Sequence, residues 1–241
     1  MNERERRLLH EVLPPDTDFE AAERLVDSGE PLAYVLGEWY FYGLTFRLNR
    51  ECLIPRPDTE CVVERAISLL PHDGRLLDLC TGSGCLAISV LVHRPDAVAE
   101  AVDIAPLACR MAELNATQNG VGKRLLVRCE DVLTMQPPAS PRYHLIVSNP
   151  PYIRSDVIPT LEGGVRREPL IALDGGADGM RFYRRILSAY RNSLLPGGAF
   201  LFEIGYDQRE QIIALAAELG YRQCTVTRDY GGCDRVALVR P

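Results

Sequence analysis

The sequence lacks an apolar run long enough to cross a membrane. Its longest candidate, Cys85 to Val92, is short and contains Ser89, whereas a membrane-spanning helix needs ~18 apolar residues. Residues 1–7 are charged and lack the apolar core of a secretion signal. With 46% apolar and 25% charged residues in a chain of 241, the composition is typical of one large globular domain with a small appendage. We therefore expect a soluble protein of the cytoplasm.

The sequence also lacks the C-x₂-C pairs that many zinc sites use. Its eight cysteines are dispersed along the chain, and its four histidines do not cluster with them. Most of the cysteines lie within apolar stretches, which favours buried free thiols in a reducing compartment. We expect neither a metal site nor a disulfide.

Lysine is almost absent: the chain has one lysine, Lys123, and 26 arginines. The net charge is −6, so the chain lacks the strong positive footprint of a protein that binds duplex DNA. A protein partner fits this charge more easily than nucleic acid or a membrane does. We expect a monomer that acts on another protein.

Strand and helix patterns alternate from Arg75 onward. Such alternation predicts an α/β fold, in which a doubly wound, mainly parallel sheet carries helices on both faces. The last two strands have no helix between them, so we expect them to pair antiparallel at the edge of the sheet. The predicted strands are 76–79, 98–103, 125–129, 143–148, 199–204, 222–227 and 235–239, and the predicted helices are 84–93, 105–119, 181–194 and 208–219.

The residues before Arg75 have a different pattern. Residues 3–29 are helical in character with a break at Pro14-Pro15, and the acidic residues 16–18 are suited to cap a second helix. Residues 38–41 and 45–48 flank a turn at Tyr42-Gly43, which is typical of a hairpin. We expect a helical segment at 1–36, a hairpin linker at 37–56 and the main domain at 57–241.

A glycine turn follows the first predicted strand of the main sheet. Its residues are Asp78-Leu79-Cys80-Thr81-Gly82-Ser83-Gly84, and they open directly into a helix. Gly82 and Gly84 allow the backbone to turn tightly and to approach a ligand. Alone, the turn fits a strand–helix connection without a ligand equally well.

Two further acids follow the next two strands. Asp103 ends the second strand, where a carboxylate accepts from both hydroxyls of a ribose. Asp131 follows the third strand, where a carboxylate can accept from an adenine amino group while Val132 packs on the ring. With Asp78, these acids line the crevice where open α/β sheets bind ligands. The turn is not G-x-G-x-x-G and lacks a Walker lysine, which favours a cofactor without phosphates, such as S-adenosylmethionine.

The fourth strand runs into Asn149-Pro150-Pro151-Tyr152. The two prolines fix the backbone and remove two N–H donors, so the carbonyls face the crevice as rigid acceptors. An amide nitrogen is a poor nucleophile, because its lone pair is delocalised into the carbonyl. If Asn149 Oδ1 and the Pro150 carbonyl each accept one amide hydrogen, the lone pair is oriented towards an activated methyl group, and Tyr152 stacks on the flat amide. The alternative is an ordinary Pro-Pro turn with Tyr152 in the core.

The sequence resembles the HemK-type protein-(glutamine-N5) methyltransferases over residues 29–240, most closely the branch specific for peptide-chain release factors. Besides the glycine turn and the Asn-Pro-Pro-Tyr motif, which amino-methylating enzymes of nucleic acids share, the most discriminating match is the segment Leu53-Ile54-Pro55-Arg56-Pro57-Asp58-Thr59-Glu60. The other matches are 30–37, Glu168-Pro169 with Ala172-Leu173, Asp178-Gly179, 202–205 with Gln208, and 229–232 with Arg235-Val236.

The resemblance implies the class I S-adenosylmethionine-dependent methyltransferase fold and the product S-adenosylhomocysteine. It implies a substrate site at Asn149, Pro150, Pro151 and Tyr152 for a glutamine, which in the family lies in the Gly-Gly-Gln tip of a release factor. With the acids above, the expected cofactor site is Asp78, Cys80, Thr81, Gly82, Ser83, Gly84, Asp103, Asp131, Val132 and Asn149.

The chain departs from the family pattern at three places. Cys80 stands where the release-factor branch usually has glycine and where the branch that modifies a ribosomal protein often has cysteine. Arg167 precedes Glu168-Pro169 where an aromatic is usual. By the resemblance, the N-terminal helical domain, which in the family helps to hold the protein substrate, is expected to be a remnant at 1–36.

Several assignments stay open at this point. Arg56 is expected to contact the substrate or to join the two domains. Asp58 or Thr59 is expected to cap the following helix, with Glu60 favoured by its dipole, and Glu203 lies either in the pocket or in an edge ion pair. Residues 153–179 are expected to form a loop that closes over the glutamine. The alternative functions are glutamine methylation of a ribosomal protein, methylation of adenine amino groups in nucleic acid, and a non-catalytic cofactor-binding partner.

Overall fold

The computed structural model describes all residues from 1 to 241 and contains two sheets and nine α-helices. The strands are β1 (Glu38–Phe41), β2 (Leu44–Arg47), β3 (Arg75–Leu79), β4 (Val98–Asp103), β5 (Leu125–Cys129), β6 (Tyr143–Ser148), β7 (Leu194–Glu203), β8 (Gln223–Arg228) and β9 (Asp234–Arg240). The helices are α1 (Glu3–Val12), α2 (Phe19–Asp27), α3 (Leu32–Leu36), α4 (Glu60–Leu69), α5 (Cys85–His93), α6 (Pro106–Gln118), α7 (Leu170–Leu173), α8 (Arg181–Tyr190) and α9 (Arg209–Glu218).

The main sheet has seven strands in the order β5-β4-β3-β6-β7-β9-β8. Neighbours from β5 to β7 pair in parallel, and β9 pairs antiparallel with both β7 and β8. The predicted doubly wound α/β fold and the antiparallel pairing of the last two strands are therefore confirmed. The last strand in sequence lies inside the sheet, since residues Val236 to Val239 are all buried, whereas β8 is mostly exposed at the edge.

The helices cover both faces of this sheet. Strands buried on both faces need apolar residues at successive positions, and β6 supplies them with Leu145, Ile146 and Val147, all fully or nearly fully buried. Helices α4 and α5 contribute to the core on one face, and helices α8 and α9 contribute to the core on the other. The sheet is thereby fixed in position, and the carboxyl ends of its parallel strands meet along one edge.

The N-terminal elements agree with the predicted helices and hairpin. Asn2 and Glu5 form a reciprocal capping box on α1, and Asp18 caps α2 by accepting from the backbone N–H of Ala21. The hairpin turns at Tyr42-Gly43, where both residues have positive φ (50° and 73°), as a type I′ turn requires. No helix combines the length and the apolar character that crossing a membrane demands.

One pair of predicted boundaries is wrong. The helix predicted to reach residue 194 ends as an α-helix at Tyr190 and closes with a 3₁₀ turn, Arg191–Ser193. Strand β7 starts at Leu194, five residues before the predicted start at 199. Its first part, around Pro196 to Gly198, has an irregular register against β6, so the local sequence there resembles a turn although the chain is already extended.

Candidate active site

Two adjoining cavities lie at the carboxyl ends of the parallel strands. The larger has a volume of about 540 Å³ and the smaller about 300 Å³. Both are lined by four shared residues, which are Leu53, Arg56, Asn149 and Ala172. The two cavities therefore adjoin along these four residues, of which Asn149 is the one whose side chain carries a hydrogen-bond acceptor.

The larger cavity collects most residues of the expected cofactor site. Cys80 has a positive φ of 62° in the glycine turn and packs against the core. The members of the expected site that line the cavity are Asp78, Cys80, Thr81, Gly82, Ser83, Asp103, Asp131, Val132 and Asn149. The structure therefore brings these nine residues together in one cavity, and their role in binding a cofactor stays a prediction.

Gly84 is the one member of that expected site that does not line the larger cavity. Its φ is +82°, and a Cβ there would come within 2.8 Å of Ile88 Cδ1 and 3.1 Å of Ala112 Cβ. Glycine at this position serves the close packing of α5 against α6. Gly84 thus shapes the turn from behind the cavity wall, and its assignment to the cofactor site stays a prediction.

Asp78 and Asp103 are held by donors from the glycine turn itself. Asp78 accepts from Thr81 Oγ1 at 2.6 Å and from the backbone N–H of Ala87 at 3.3 Å, while burial raises the pKa of its carboxyl to about 7. Asp103 accepts from the backbone N–H groups of Gly82 and Ala105, at 2.8 and 3.0 Å. Burial also raises the pKa of Asp103. Both carboxyls therefore lie in a crevice of low dielectric constant. A hydrogen-bond donor from a ligand would stabilise their ionised form there.

The smaller cavity lies beneath the Asn-Pro-Pro-Tyr segment. Pro150, Tyr152 and Ile153 form part of its wall, and Glu203, from the end of β7, also lines it. Pro151 lines only the larger cavity. The predicted substrate residues Asn149, Pro150, Tyr152 and Arg56 thus line one cavity.

A chain of hydrogen bonds connects four side chains behind this wall. Asn149 Nδ2 donates to Thr59 Oγ1 at 3.2 Å, and Thr59 Oγ1 donates to Glu203 Oε2 at 2.5 Å. The Tyr152 hydroxyl donates to the other oxygen, Glu203 Oε1, at 3.2 Å. Thr59 and Glu203 are 2% and 1% exposed, so these bonds are shielded from water.

The helix-cap interpretation of Asp58 and Thr59 is wrong, whereas Glu60 does lie in the first turn of α4. Thr59 precedes α4 but makes no side-chain cap bond, because its hydroxyl bonds to Glu203. Asp58 pairs with Arg235 at 3.1 Å, and Glu60 accepts from the backbone N–H of Tyr42 at 2.9 Å. Each polar residue of this segment thus contacts a different part of the chain, not its own helix.

Arg56 joins the hairpin side of the site to the loop that follows Tyr152. Its guanidinium pairs with Glu168, which is 5% exposed and also accepts from the backbone N–H of Ile54 at 3.0 Å. The expectation that Arg56 makes a contact between the two parts of the chain is confirmed. The contribution of Glu168 was not predicted, although its place in a family motif was the signal that could have pointed to it.

The segment 153–179 is more ordered than the predicted loop. It contains two 3₁₀ turns, Ile158–Thr160 and Val165–Arg167, and helix α7. Leu170 and Ile171 of α7 line the larger cavity and are 59% and 48% exposed. Gln208, also missed as a contributor, ties this segment to the site by donating from Nε2 to the carbonyls of Tyr152 (3.0 Å) and Gly179 (3.3 Å).

The rest of the chain offers no competing metal centre. All eight cysteines are free thiols, and no group of three or more histidine, cysteine or acidic side chains is arranged to hold a metal ion.

Comparison with known proteins gives similar sequences over almost the whole chain. Residues 60–160 match the Methyltransferase small domain family. The release factor glutamine methyltransferase of Neisseria gonorrhoeae is 38% identical over 93% of this chain and 82% of its own length. That of Bordetella pertussis is 40% identical, over 95% and 86%, and that of Geobacter sulfurreducens is 39% identical, over 86% and 72%.

Solved structures share the fold at lower identity. The catalytic domain of hMettl16, in complex with the MAT2A 3′UTR hairpin 1, superposes with a TM-score of 0.66 and 17% identity, over 83% of this chain and 75% of that one. A ribosomal protein L11 methylase from Lactobacillus delbrueckii subsp. bulgaricus superposes with a TM-score of 0.56 and 20% identity, over 80% and 83%. At these identities the likeness concerns the fold alone.

Proposed function

We propose that this chain, which belongs to the family of release factor glutamine methyltransferases, transfers a methyl group from S-adenosylmethionine to the side-chain amide nitrogen of a glutamine in a peptide-chain release factor. The observation that carries the proposal is the meeting of two cavities at Asn149. One cavity is large enough for a nucleoside, and the other is smaller and is lined by Asn149 and Pro150, both of which carry carbonyl oxygens.

The larger cavity suits S-adenosylmethionine in shape and in chemistry. Gly82 has open space where a Cβ would stand, so a ligand can approach the backbone of the turn. Ser83 Oγ is buried at the cavity wall and has no hydrogen-bond partner, which leaves it free to bond a ligand. Three carboxylates, Asp78, Asp103 and Asp131, would accept from the amino and hydroxyl donors of the cofactor. When bound, S-adenosylmethionine supplies an electrophilic methyl group on a sulfonium.

The residues of the smaller cavity would bind and orient the substrate amide. Because Asn149 Nδ2 already donates to Thr59, Asn149 Oδ1 is the atom that remains to accept from a glutamine NH₂. The Pro150 carbonyl would accept the second hydrogen, and proline at this place offers no competing N–H. With both hydrogens held, the nitrogen lone pair points towards the larger cavity.

Tyr152 would stack on the flat amide and exclude water, and its hydroxyl bond to Glu203 holds the ring in place. No side chain is needed as a general base, since the proton leaves after the methyl group has been transferred. The chain's contribution is thus orientation and a preorganised set of acceptors, which is a large catalytic term for a reaction with a weak nucleophile.

Labelled methyl transfer onto purified candidates tests the proposal. The purified enzyme is incubated with methyl-labelled cofactor and, separately, with release factor, ribosomal proteins, or adenine-containing RNA and DNA. We expect label on the release factor, and we expect it to disappear when the Gly-Gly-Gln glutamine is replaced by asparagine. Cys80 makes the ribosomal proteins the most informative competitor, given the family pattern.

Three other outcomes of this experiment would contradict the proposal, each in a different respect. Label on a ribosomal protein alone would keep the chemistry and change the partner. Label on nucleic acid alone would overturn the glutamine reaction. Cofactor binding without transfer to any candidate would favour a non-catalytic role.

A further inference from the structure

We infer that Thr59 and Glu203 are positioning residues that set the direction of the Asn149 carboxamide and so decide which of its atoms meets the substrate. The inference rests on the proposed function for its kinetic consequences. The orientation itself, with Asn149 Oδ1 directed towards the smaller cavity, is inferred from the hydrogen bonds within the protein alone.

An asparagine side chain needs such a device because its two ends are nearly equal in shape. With Oδ1 towards the substrate, Asn149 accepts from the glutamine NH₂. With Nδ2 there instead, two donor groups would face each other, and the substrate amide would be repelled. A flip of about 180° around one bond therefore separates a competent site from an incompetent one.

Glu203 sets the donor-to-acceptor direction of this series of hydrogen bonds. Both of its carboxylate oxygens accept, one from Thr59 at 2.5 Å and the other from Tyr152 at 3.2 Å. An ionised carboxylate has no hydrogen to donate, so the single hydroxyl hydrogen of Thr59 is committed to it. Thr59 Oγ1 can then only accept from Asn149, and the group that Asn149 turns towards it must be the NH₂.

Opposing influences act on the carboxyl of Glu203. Burial raises its pKa, and the hydrogen bond from Thr59 and the charge of Arg235, which favour the ionised acceptor, offset only part of this rise. Arg235 is itself 9% exposed and donates to Asp229, to Asp58 and to the carbonyl of Ile204. The cation therefore stays close to the carboxylate without taking either of its oxygens.

Thr59 also lies far from the catalytic motif in sequence. Its bond to Asn149 joins residues 90 positions apart, and its bond to Glu203 joins residues 144 apart. The discriminating segment 53–60, the Asn-Pro-Pro-Tyr motif and the end of β7 are thus parts of one assembly. Through Tyr152, the same carboxylate controls both the acceptor and the aromatic surface that meet the glutamine.

The test compares Thr59→Val, Thr59→Ser and Glu203→Gln in the full chain. Valine has nearly the shape of threonine without the hydroxyl, serine keeps the hydroxyl, and glutamine at 203 adds a donor that permits the reversed polarity. We expect Thr59→Val and Glu203→Gln to lower kcat on release factor about 10- to 100-fold, a much larger change than either causes in the dissociation constant for S-adenosylmethionine, although Thr59 also lines the larger cavity. Thr59→Ser should restore most of kcat.

Two exposed residues provide matched controls. Thr117 bonds only to a carbonyl of its own helix, and Glu113 lies one turn before it. Thr117→Val and Glu113→Gln should leave kcat at the parental value. A thermal unfolding curve of each variant separates loss of positioning from loss of fold.

A double-mutant cycle and an amide measurement complete the test. When Asn149 is already alanine, Thr59→Val should cause little further loss, because the pair acts as a unit. The ¹⁵N-labelled side-chain NH₂ of Asn149, assigned with Asn149→Ala, should exchange slowly with water in the parent and faster in Thr59→Val. Unchanged kcat in Thr59→Val, additive losses in the cycle, or an unprotected Asn149 amide in the parent would each overturn the inference.

The amide measurement needs no turnover. If the parent transferred no methyl to release factor, the proposed function would fail, and the exchange of the Asn149 NH₂ would still decide the inference about its orientation. The two failures are thereby distinguishable.

Discussion

Arg167 lies 3.4 Å from the buried carboxylate of Glu30, so the segment after the catalytic motif is joined by charge to the N-terminal helices. The same guanidinium donates to the backbone carbonyl of Ser28 at 2.5 Å. Glu30 also pairs with Arg50 at 2.8 Å. An arginine at the position where the family usually has an aromatic therefore makes a polar bridge between the part that precedes the hairpin and the part that covers the site.

Replacing Arg167 by alanine should loosen this bridge. We expect the KM for release factor to rise severalfold, because the covering segment would be less well placed, while the dissociation constant for S-adenosylmethionine stays constant. The half-exposed side chain should contribute only about 1 kcal/mol or less to the free energy of unfolding. Steady-state kinetics and urea unfolding measure both quantities. Arg166→Ala, at the exposed neighbouring position, is the control, and equal KM values in the two variants would contradict the role of Arg167.

Removing the side chain of Asn149 should affect turnover far more than cofactor affinity. Asn149→Ala removes the one side-chain acceptor shared by the two cavities, and we expect kcat to fall about 100-fold or more. Calorimetric titration with S-adenosylmethionine should still show appreciable binding. Asn192→Ala, at an exposed turn, serves as the control. A kcat equal to that of the parent would remove Asn149 from the reaction.

Asp78 should make the stability of the fold depend on pH. Burial raises its pKa from an ordinary value of 3.8 to about 7, so between these two pH values the folded chain binds the proton that the unfolded chain has released. The free energy of unfolding therefore falls as the pH rises through this window. The effect is limited to a few kcal/mol, since one pKa unit corresponds to about 1.4 kcal/mol.

Urea unfolding at pH 5 and pH 8 measures this dependence. Asp78→Asn cannot titrate, so its stability relative to the parent should be greater at pH 8 than at pH 5. Asp16→Asn, at an exposed position, should follow the parent at both values. An equal difference between Asp78→Asn and the parent at the two pH values would show that Asp78 does not titrate in this window.

Gln208 should stabilise the fold and the position of Tyr152 together. Its Oε1 accepts from the backbone N–H of Gly205 at 2.9 Å, and its Nε2 donates to the carbonyls of Tyr152 and Gly179. A side chain at 179 would lie 2.3 Å from the Tyr152 carbonyl, so the three backbone segments meet without spare room. Gln208→Ala should lower the free energy of unfolding by about 1–3 kcal/mol, because buried polar groups lose their partners.

The same variant should also lower kcat, since the Tyr152 backbone loses its support. Gln211→Ala, on the exposed side of α9, provides the matched control for both measurements. If Gln208→Ala unfolds at the same urea concentration as Gln211→Ala, the bridging role of Gln208 is wrong.

The sequence predicted those parts of the fold that local pattern determines. Strand β6 and the end of β4 at Asp103 are marked by buried apolar runs with sharp polar ends, and the structure has them at the predicted residues. The insertion of β9 between β7 and β8 was not predicted. The two strands of a hairpin pair with each other in either arrangement. The hairpin sequence therefore does not show which of the two also pairs with β7, because that depends on how much of each strand is buried.

The site was predicted where one segment carries the chemistry and missed where distant segments share it. Asp78, Asp103 and Asn149 each lie within one residue of the end of a strand, so the parallel topology itself brings them together. Thr59 looked like a helix cap because a threonine before a helix usually is one. Only the position of Glu203, on a strand 144 residues later, gives its hydroxyl a different partner.

The left-handed backbone of Cys80 has a consequence for how the turn can change over time. Holding a residue with a Cβ at φ of 62° costs about 1–2 kcal/mol compared with glycine. The sulfur packed against the core offsets about 1 kcal/mol of that cost by burial. Cysteine therefore costs the fold about 1 kcal/mol or less compared with glycine. Either residue can occupy this turn while the crevice beneath keeps its shape.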